Sequence, residues 1–240
     1  MSDALRGGWT VERRSGSAGE LHGSWPAPAD RAGRVVAVCS VLDRAVVLGS
    51  TQRLDVVDAG RAAGAGVAVA HRDSGGGAVL VAPDAQVWLD LWLPRGDVLW
   101  DDDVIRSSRW LGEAWRRVLL ELGVPGAHVH DGRAVHNEWS RLVCFAGTGP
   151  GEVITGVCKI VGLSQRRTRH GARFSSMAPL SWDPAALLGV LALDADVVRR
   201  GRAELASLAT GLRGTAPAVA SRRDGDAVDM VYEVFLRHLD

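Results

Sequence analysis

Gln86-Val87-Trp88-Leu89-Asp90-Leu91-Trp92-Leu93, followed at once by Asp101-Asp102-Asp103 and a periodic apolar run that ends at Leu122-Gly123, decides the class of fold. Val87, Leu89, Leu91 and Leu93 alternate with Trp88, Asp90 and Trp92, the period of two that marks a half-buried strand. Val104, Leu111, Trp115, Val118 and Leu122 fall on one helical face. The three aspartates supply caps and favourable negative charge at its start, and Gly123 stops it. Upstream, 34–40 and 45–49 are Val-rich runs read as two strands joined by a tight turn. A short Ala-rich helix follows within 50–66, and strand-like runs at 67–70 and 78–81 flank a glycine triplet. Downstream, 141–145, 152–155, 159–164 and 172–177 read as a second group of strands. Asp183-Pro184 opens a set of helices with Asp as cap and Pro in the first turn, and 226–239 is amphipathic through Val228, Val231, Phe235 and Leu239. No repeated strand–helix–strand unit supports a Rossmann or barrel reading. The order predicts an α+β domain with a mixed, largely antiparallel sheet flanked by helices.

Composition bounds the function. The chain has 240 residues, of which 47% are hydrophobic, enough for one sizeable core. Its 28 basic and 28 acidic residues cancel, so no global field attracts nucleic acid or an anionic membrane. No apolar run reaches the roughly 18 residues of a membrane span, and the first residues lack a secretory apolar region, so a cytoplasmic protein is expected. Cys39, Cys144 and Cys158 have neither C-x-x-C nor zinc spacing, which suits a reducing compartment. His128-Val129-His130-Asp131 lacks a third spaced ligand and reads as surface polarity, so no metal site is expected there. Residues 1–33, rich in Gly, Ser, Pro and charge, read as a loosely ordered lead-in with one short helix near 19–22. Residues 34–178 would hold the catalytic domain, and 179–240 a set of helices packed on it.

Two segments could carry chemistry. His71-Arg72-Asp73-Ser74-Gly75-Gly76-Gly77-Ala78-Val79 lies between two strand-like runs, and consecutive glycines let backbone amides converge on an anion. The same triplet also reads as a flexible hairpin, and it is no P-loop, because no Gly-Lys-Ser/Thr follows. The second segment is Gly156-Val157-Cys158-Lys159-Ile160-Val161-Gly162-Leu163-Ser164-Gln165-Arg166-Arg167. Lys159 is the single lysine among the 28 basic residues, which suggests a place where the planar guanidinium of arginine will not do.

Together these segments resemble the lipoate-protein ligases and octanoyl/lipoyl transferases, in which Arg-x-Ser-Gly-Gly-Gly-Ala-Val is followed downstream by Lys-Ile-x-Gly-x-x-Gln-Arg-Arg. Val47-Leu48-Gly49-Ser50-Thr51-Gln52 also looks like that family's early strand, and the resemblance spans residues 34–178. It implies a biotin/lipoate ligase-like catalytic domain that activates lipoate or octanoate with ATP and Mg²⁺ as an acyl adenylate. The acyl group would then pass to a lysine of a lipoyl domain, in a 2-oxoacid dehydrogenase complex or a glycine-cleavage H-type protein. Lys159 would be the compact positive charge at the reacting carbonyl. Arg72 and the amides of Gly75, Gly76 and Gly77 would hold carboxylate or phosphate, with Ser74 and Ala78 supporting the loop, and Gln52, Glu152 and Gln165 would lie near substrate or nucleotide. An apolar slot for the chain, at about 0.8 kcal/mol per buried methylene, would supply roughly 5 kcal/mol.

The chain departs from the pattern in informative places. Gly151-Glu152 stands where ligases carry Asn-Asp, and Val81-Ala82 where the family has His-Asp. The residues after 178 are too helical and too few for the accessory domain of two-domain ligases. The loop of biotin ligases, of Gly-Arg-Gly-Arg type, is missing. Cys144-Phe145 lies fifteen residues before Lys159, as in a branch of octanoyltransferases. There the thiolate would take the acyl group from an acyl carrier protein as a thioester without ATP, with Lys159 and Arg166 assisting. Against this, the third loop position is Gly77, as in ligases, where those transferases tend to carry a larger residue, and a cysteine is also commonly a small buried hydrophobe. A member that binds an acyl group without turning it over is the third reading.

Overall fold

The computed structural model describes residues 3–4, 8–23 and 33–239. Among the described residues, eleven strands form two sheets. The larger comprises β1 (Asp3–Ala4), β2 (Trp9–Gly16), β3 (Arg34–Val41), β7 (Gln86–Pro94), β11 (Gly171–Pro179), β10 (Cys158–Arg167), β9 (Val153–Thr155) and β8 (Ala127–Val129), in that spatial order. Only β2 and β3 run parallel in it. The smaller places β4 (Ala45–Leu48) between β5 (Ala68–His71), parallel to it, and β6 (Val79–Val81), antiparallel. With α1 (Ala18–Gly23), α2 (Ala59–Gly64), α3 (Arg109–Glu121), α4 (Pro184–Leu188), α5 (Ala195–Ala206), α6 (Leu212–Thr215) and α7 (Asp224–Arg237), this is the expected α+β arrangement of a largely antiparallel sheet flanked by helices. No helix among the described residues is long and apolar enough to cross a membrane.

Several sequence expectations are corrected by tertiary pairing. The two Val-rich runs do not form a hairpin: β3 enters the large sheet and β4 the small one. The strands around the glycine triplet do not pair with each other, because β4 lies between them. Residues 9–23 are not a loose lead-in. β2 extends the large sheet beyond β3, Trp9 is 1% exposed, and its indole donates to the Leu239 carbonyl at 3.0 Å. The short helix expected near 19–22 is α1.

β7 is buried on both faces rather than one. Val87, Leu89, Leu91 and Leu93 meet the main core, where Leu111, Trp115, Val118 and Leu119 of α3 and Val228, Val231 and Phe235 of α7 pack. Trp88 faces a smaller core with α1, β4 and Val81. The fully buried Asp90 is tolerable there because its carboxylate accepts from Arg173 (2.6 Å), Ser175 Oγ (2.6 Å) and the Trp88 indole (3.1 Å), with Arg14 at 3.4 Å.

The helix expected from Asp101 starts at Arg109. Asp103 Oδ1 instead accepts from the amides of Ile105 and Arg106, which makes a turn, and a 3-10 segment follows at Arg106–Ser108. Val104 is 56% exposed and not on the core face. Residues 141–145 are not a strand: a 3-10 turn occupies Cys144–Ala146, and only Val143 bridges to Ala78.

Candidate active site

The glycine loop is set by close backbone contacts. A Cβ on Gly49, at the end of β4, would lie 1.9 Å from the Gly76 carbonyl, and one on Gly77 would lie 2.5 Å from the Val143 amide. Gly76 itself has φ +99°, a region that favours glycine. These approaches press the loop against the turn that carries Cys144, and the contact is closed by hydrogen bonds from the Ala78 amide to Leu142 O (2.8 Å) and from the Cys144 amide to Ala78 O (2.9 Å). Arg72, 7% exposed, donates from Nη2 to the carbonyls of Gly75 (2.9 Å) and Gly77 (2.8 Å) and from Nη1 to Val47 (3.2 Å). Its guanidinium therefore braces the loop from beneath. Ser74 Oγ donates to Ser164 Oγ at 3.0 Å, tying the loop to β10. Gln52 accepts from the Gly49 amide and donates to the carbonyls of Arg141 and Leu142, tying the end of β4 to the 141–142 turn.

Lys159 is 3% exposed, and its ammonium is surrounded by acceptors. Nζ lies 2.9 Å from the Cys144 carbonyl, 3.1 Å from the Gly147 carbonyl and 2.7 Å from Glu152 Oε1, with the Phe145 ring centroid 4.9 Å away. Glu152 is equally buried: Oε1 also accepts from the Leu163 amide (3.0 Å) and Oε2 from the Gly149 amide (2.6 Å). One carboxylate thus joins β10, the 147–152 turn and the lysine. The backbone of Lys159 is held too, by hydrogen bonds with Leu208 and Thr210 ahead of α6. Gln165 accepts from Ser107 Oγ and donates to Val104 O, while the Arg167 guanidinium donates to the carbonyls of Asp101 and Asp102 over the Trp100 ring. The 101–108 segment is thereby pinned to β10 as a wall of the site. Arg166 faces Asp73, 3.6 Å from its carboxylate.

A cavity of about 290 Å³ opens among these groups, lined by Gly75, Gly76 and Gly77, by the 147–150 turn, Ser108 and Val104, and by the polar side chains of Lys159, Glu152 and Gln165. A narrow apolar slot of about 60 Å³ adjoins it, between Val79 and Val81 of β6 and Gly162, Met177 and Trp88 of the large sheet. Cys144, Leu163 and Ser164 line both spaces, so Cys144 stands where slot and cavity meet. Arg72 lines the slot and not the cavity, and Gln52 lines a separate open groove beside them. Sequence reasoning missed Phe145 beneath the ammonium, the 147–150 turn and the Trp88 end of the slot. Phe145 was legible only as half of the Cys-Phe pair.

A mixed, largely antiparallel sheet here buries one lysine beside a glycine loop and an apolar slot. Residues 29–238 match the model of the family described as the lipoyl protein ligase A/B catalytic domain, and the chain belongs to that family. No curated protein sequence matches. Among solved structures, the chain is similar to the bipartite lipoate protein ligase of Thermoplasma acidophilum, described with its E2 lipoyl domain: 17% identity, 95% of this chain and 84% of that one covered, TM-score 0.66. It is similar to protein Ta0514 of T. acidophilum with bound lipoic acid, at 17% identity over 86% of this chain and 72% of that one, TM-score 0.62. A lipoate-protein ligase A bound with ATP is 18% identical over 93% and 94% of the two chains, TM-score 0.54.

Proposed function

We propose that this chain transfers an octanoyl or lipoyl group to a lysine of a lipoyl domain through a thioester on Cys144. The observation that carries this reading is that Cys144 lines both slot and cavity, at the junction where the carbonyl of a chain seated in the slot would lie. Cys144 Sγ attacks the carbonyl of an acyl-carrier thioester, and the carrier thiol leaves with the proton. The acceptor lysine amine then attacks the Cys144 thioester, an amide forms and the cysteine thiol is released. Lys159 stabilises the oxyanion in both halves. To do so it exchanges one carbonyl partner, that of Cys144 or Gly147, for the substrate oxygen, while Glu152 keeps the ammonium in place. Three free cysteines suit a reducing compartment.

Adenylation by ATP is the second reading, favoured by the cavity beside Gly76 and Gly77 and by the family's ligases. The residues fit Mg²⁺ poorly. Glu152 is the one carboxylate lining the cavity, and both its oxygens are engaged by Lys159 and two amides, whereas Mg²⁺ is held through carboxylates, phosphates and water.

Incubation with octanoyl-pantetheine followed by intact mass spectrometry separates the two. The expected result is an octanoyl adduct that is absent in Cys144→Ala, with transfer activity falling by orders of magnitude. Octanoate-dependent ATP–pyrophosphate exchange without any adduct would sink the thioester route in favour of adenylation.

A further inference from the structure

The slot has a direction and an end. Its floor runs across three neighbouring strands: Gly162 and Ser164 on β10, Ser175 and Met177 on β11, and Trp88 on β7, with Gly162 opposite Met177 and Met177 opposite Trp88. The β10 side is the mouth, since Cys144, Leu163 and Ser164 are shared with the cavity. The space there is tight, because a Cβ on Gly162 would lie 3.3 Å from both Lys159 Cε and the Phe145 ring. The β7 side is shut by the Trp88 indole, 3% exposed, which packs into the small core of Ala37, Cys39, Val41 and Val81. Two partners fix that indole. Its Nε1 donates to Asp90 at 3.1 Å, and the His22 ring lies against it at 4.6 Å and 34°.

We infer that Trp88, braced by His22 from α1, is the end wall of the acyl slot and the residue that sets how far a chain can run into it. This rests on the acyl-transfer reading above. Two strand spacings from β10 to β7 amount to about 9.5 Å. Behind the indole lie small side chains, so shortening the wall opens room inward, not to solvent. Met177, unbranched and adaptable, is the side chain that yields to admit the chain.

The test is the chain-length profile of transfer and of binding for saturated acyl-pantetheines and free acids of six to fourteen carbons. Wild type, Trp88→Phe, Trp88→Leu, His22→Ala and Val79→Phe, which narrows the roof, are compared, with melting temperature read for each. Wild type should prefer eight carbons over twelve by at least tenfold. Trp88→Phe and Trp88→Leu should move the optimum up by one to two and by two to four carbons, His22→Ala should broaden it upward, and Val79→Phe should move it down. If Trp88→Leu does not fold, the shift in Trp88→Phe and His22→Ala decides. An unchanged optimum in folded Trp88 and His22 variants overturns the wall even if wild type prefers eight carbons. Absence of any acyl binding by wild type overturns the acyl-transfer reading itself, a separate outcome.

Discussion

At the scale of single residues, Lys159 concentrates the argument. It is the only lysine in a chain that elsewhere uses arginine for strong positive charge, and it sits with three oxygen acceptors within 3.1 Å of Nζ. A guanidinium is longer and planar, and cannot direct three donors from one point, so Lys159→Arg should lose 10²- to 10³-fold in transfer rate, about 3 to 4 kcal/mol. Burial adds a consequence that charge reasoning alone does not contain. With 3% exposure and the Phe145 ring beneath, the larger head has no room, so the variant should also melt several degrees lower. Arg202→Lys is the control, and should change neither rate nor melting temperature. Retention by Lys159→Arg of more than about a tenth of the wild-type rate would remove this lysine from the chemistry.

Among the elements, the glycine loop is where a small change separates two meanings of the triplet. A Cβ on Gly75 would meet nothing within 4 Å, whereas one on Gly77 would lie 2.5 Å and 2.6 Å from backbone atoms of Val143, next to the residue carrying the thiol. Backbone on both sides of a contact cannot yield cheaply. Gly77→Ala should therefore displace the 142–146 turn and destabilise the protein by about 1 to 3 kcal/mol with loss of transfer, while Gly75→Ala should be close to neutral in stability. Equilibrium urea unfolding of the two variants reads this directly. Equal effects would mean that the triplet acts through flexibility, as a hairpin tip would, and not through its approach to the Cys144 turn.

For the whole molecule, α1 couples the N-terminal segment to pH. Burial pushes the His22 imidazole down to about 4, outweighing the attraction of Asp90, with Arg173 and Arg72 opposing the charged form and Asp73 favouring it. In the unfolded chain the ring titrates near its ordinary value of about 6.5. Between these values the unfolded state binds a proton that the folded state does not, so stability rises with pH: the full value holds above about pH 6.5 and is lost as pH falls toward 4. The contribution reaches at most about 3 kcal/mol. Urea unfolding of wild type and His22→Gln at pH 7 and pH 5 should show a smaller pH difference in the variant. An equal difference would mean that the buried imidazole is not the source.

The two functional segments, the single lysine, the Cys-Phe pair and the α+β class were legible in the sequence, because each depends on local identity or on order along the chain. What pairs with what was not. β3 and β4 look alike as Val-rich runs, yet they join different sheets. The alternation in β7 indicates one buried face, but the second face is covered by segments distant in sequence, with Arg14 and Arg173 making Asp90 tolerable there. Likewise Arg72 matched a ligand-holding pattern, and the fold turns its guanidinium onto the carbonyls of its own loop. Residue type and spacing determined which chemistry this chain could carry. Only the tertiary structure decided which groups face the cavity, because burial and hydrogen-bond partners are set by elements far apart in sequence that meet only once the sheets are packed.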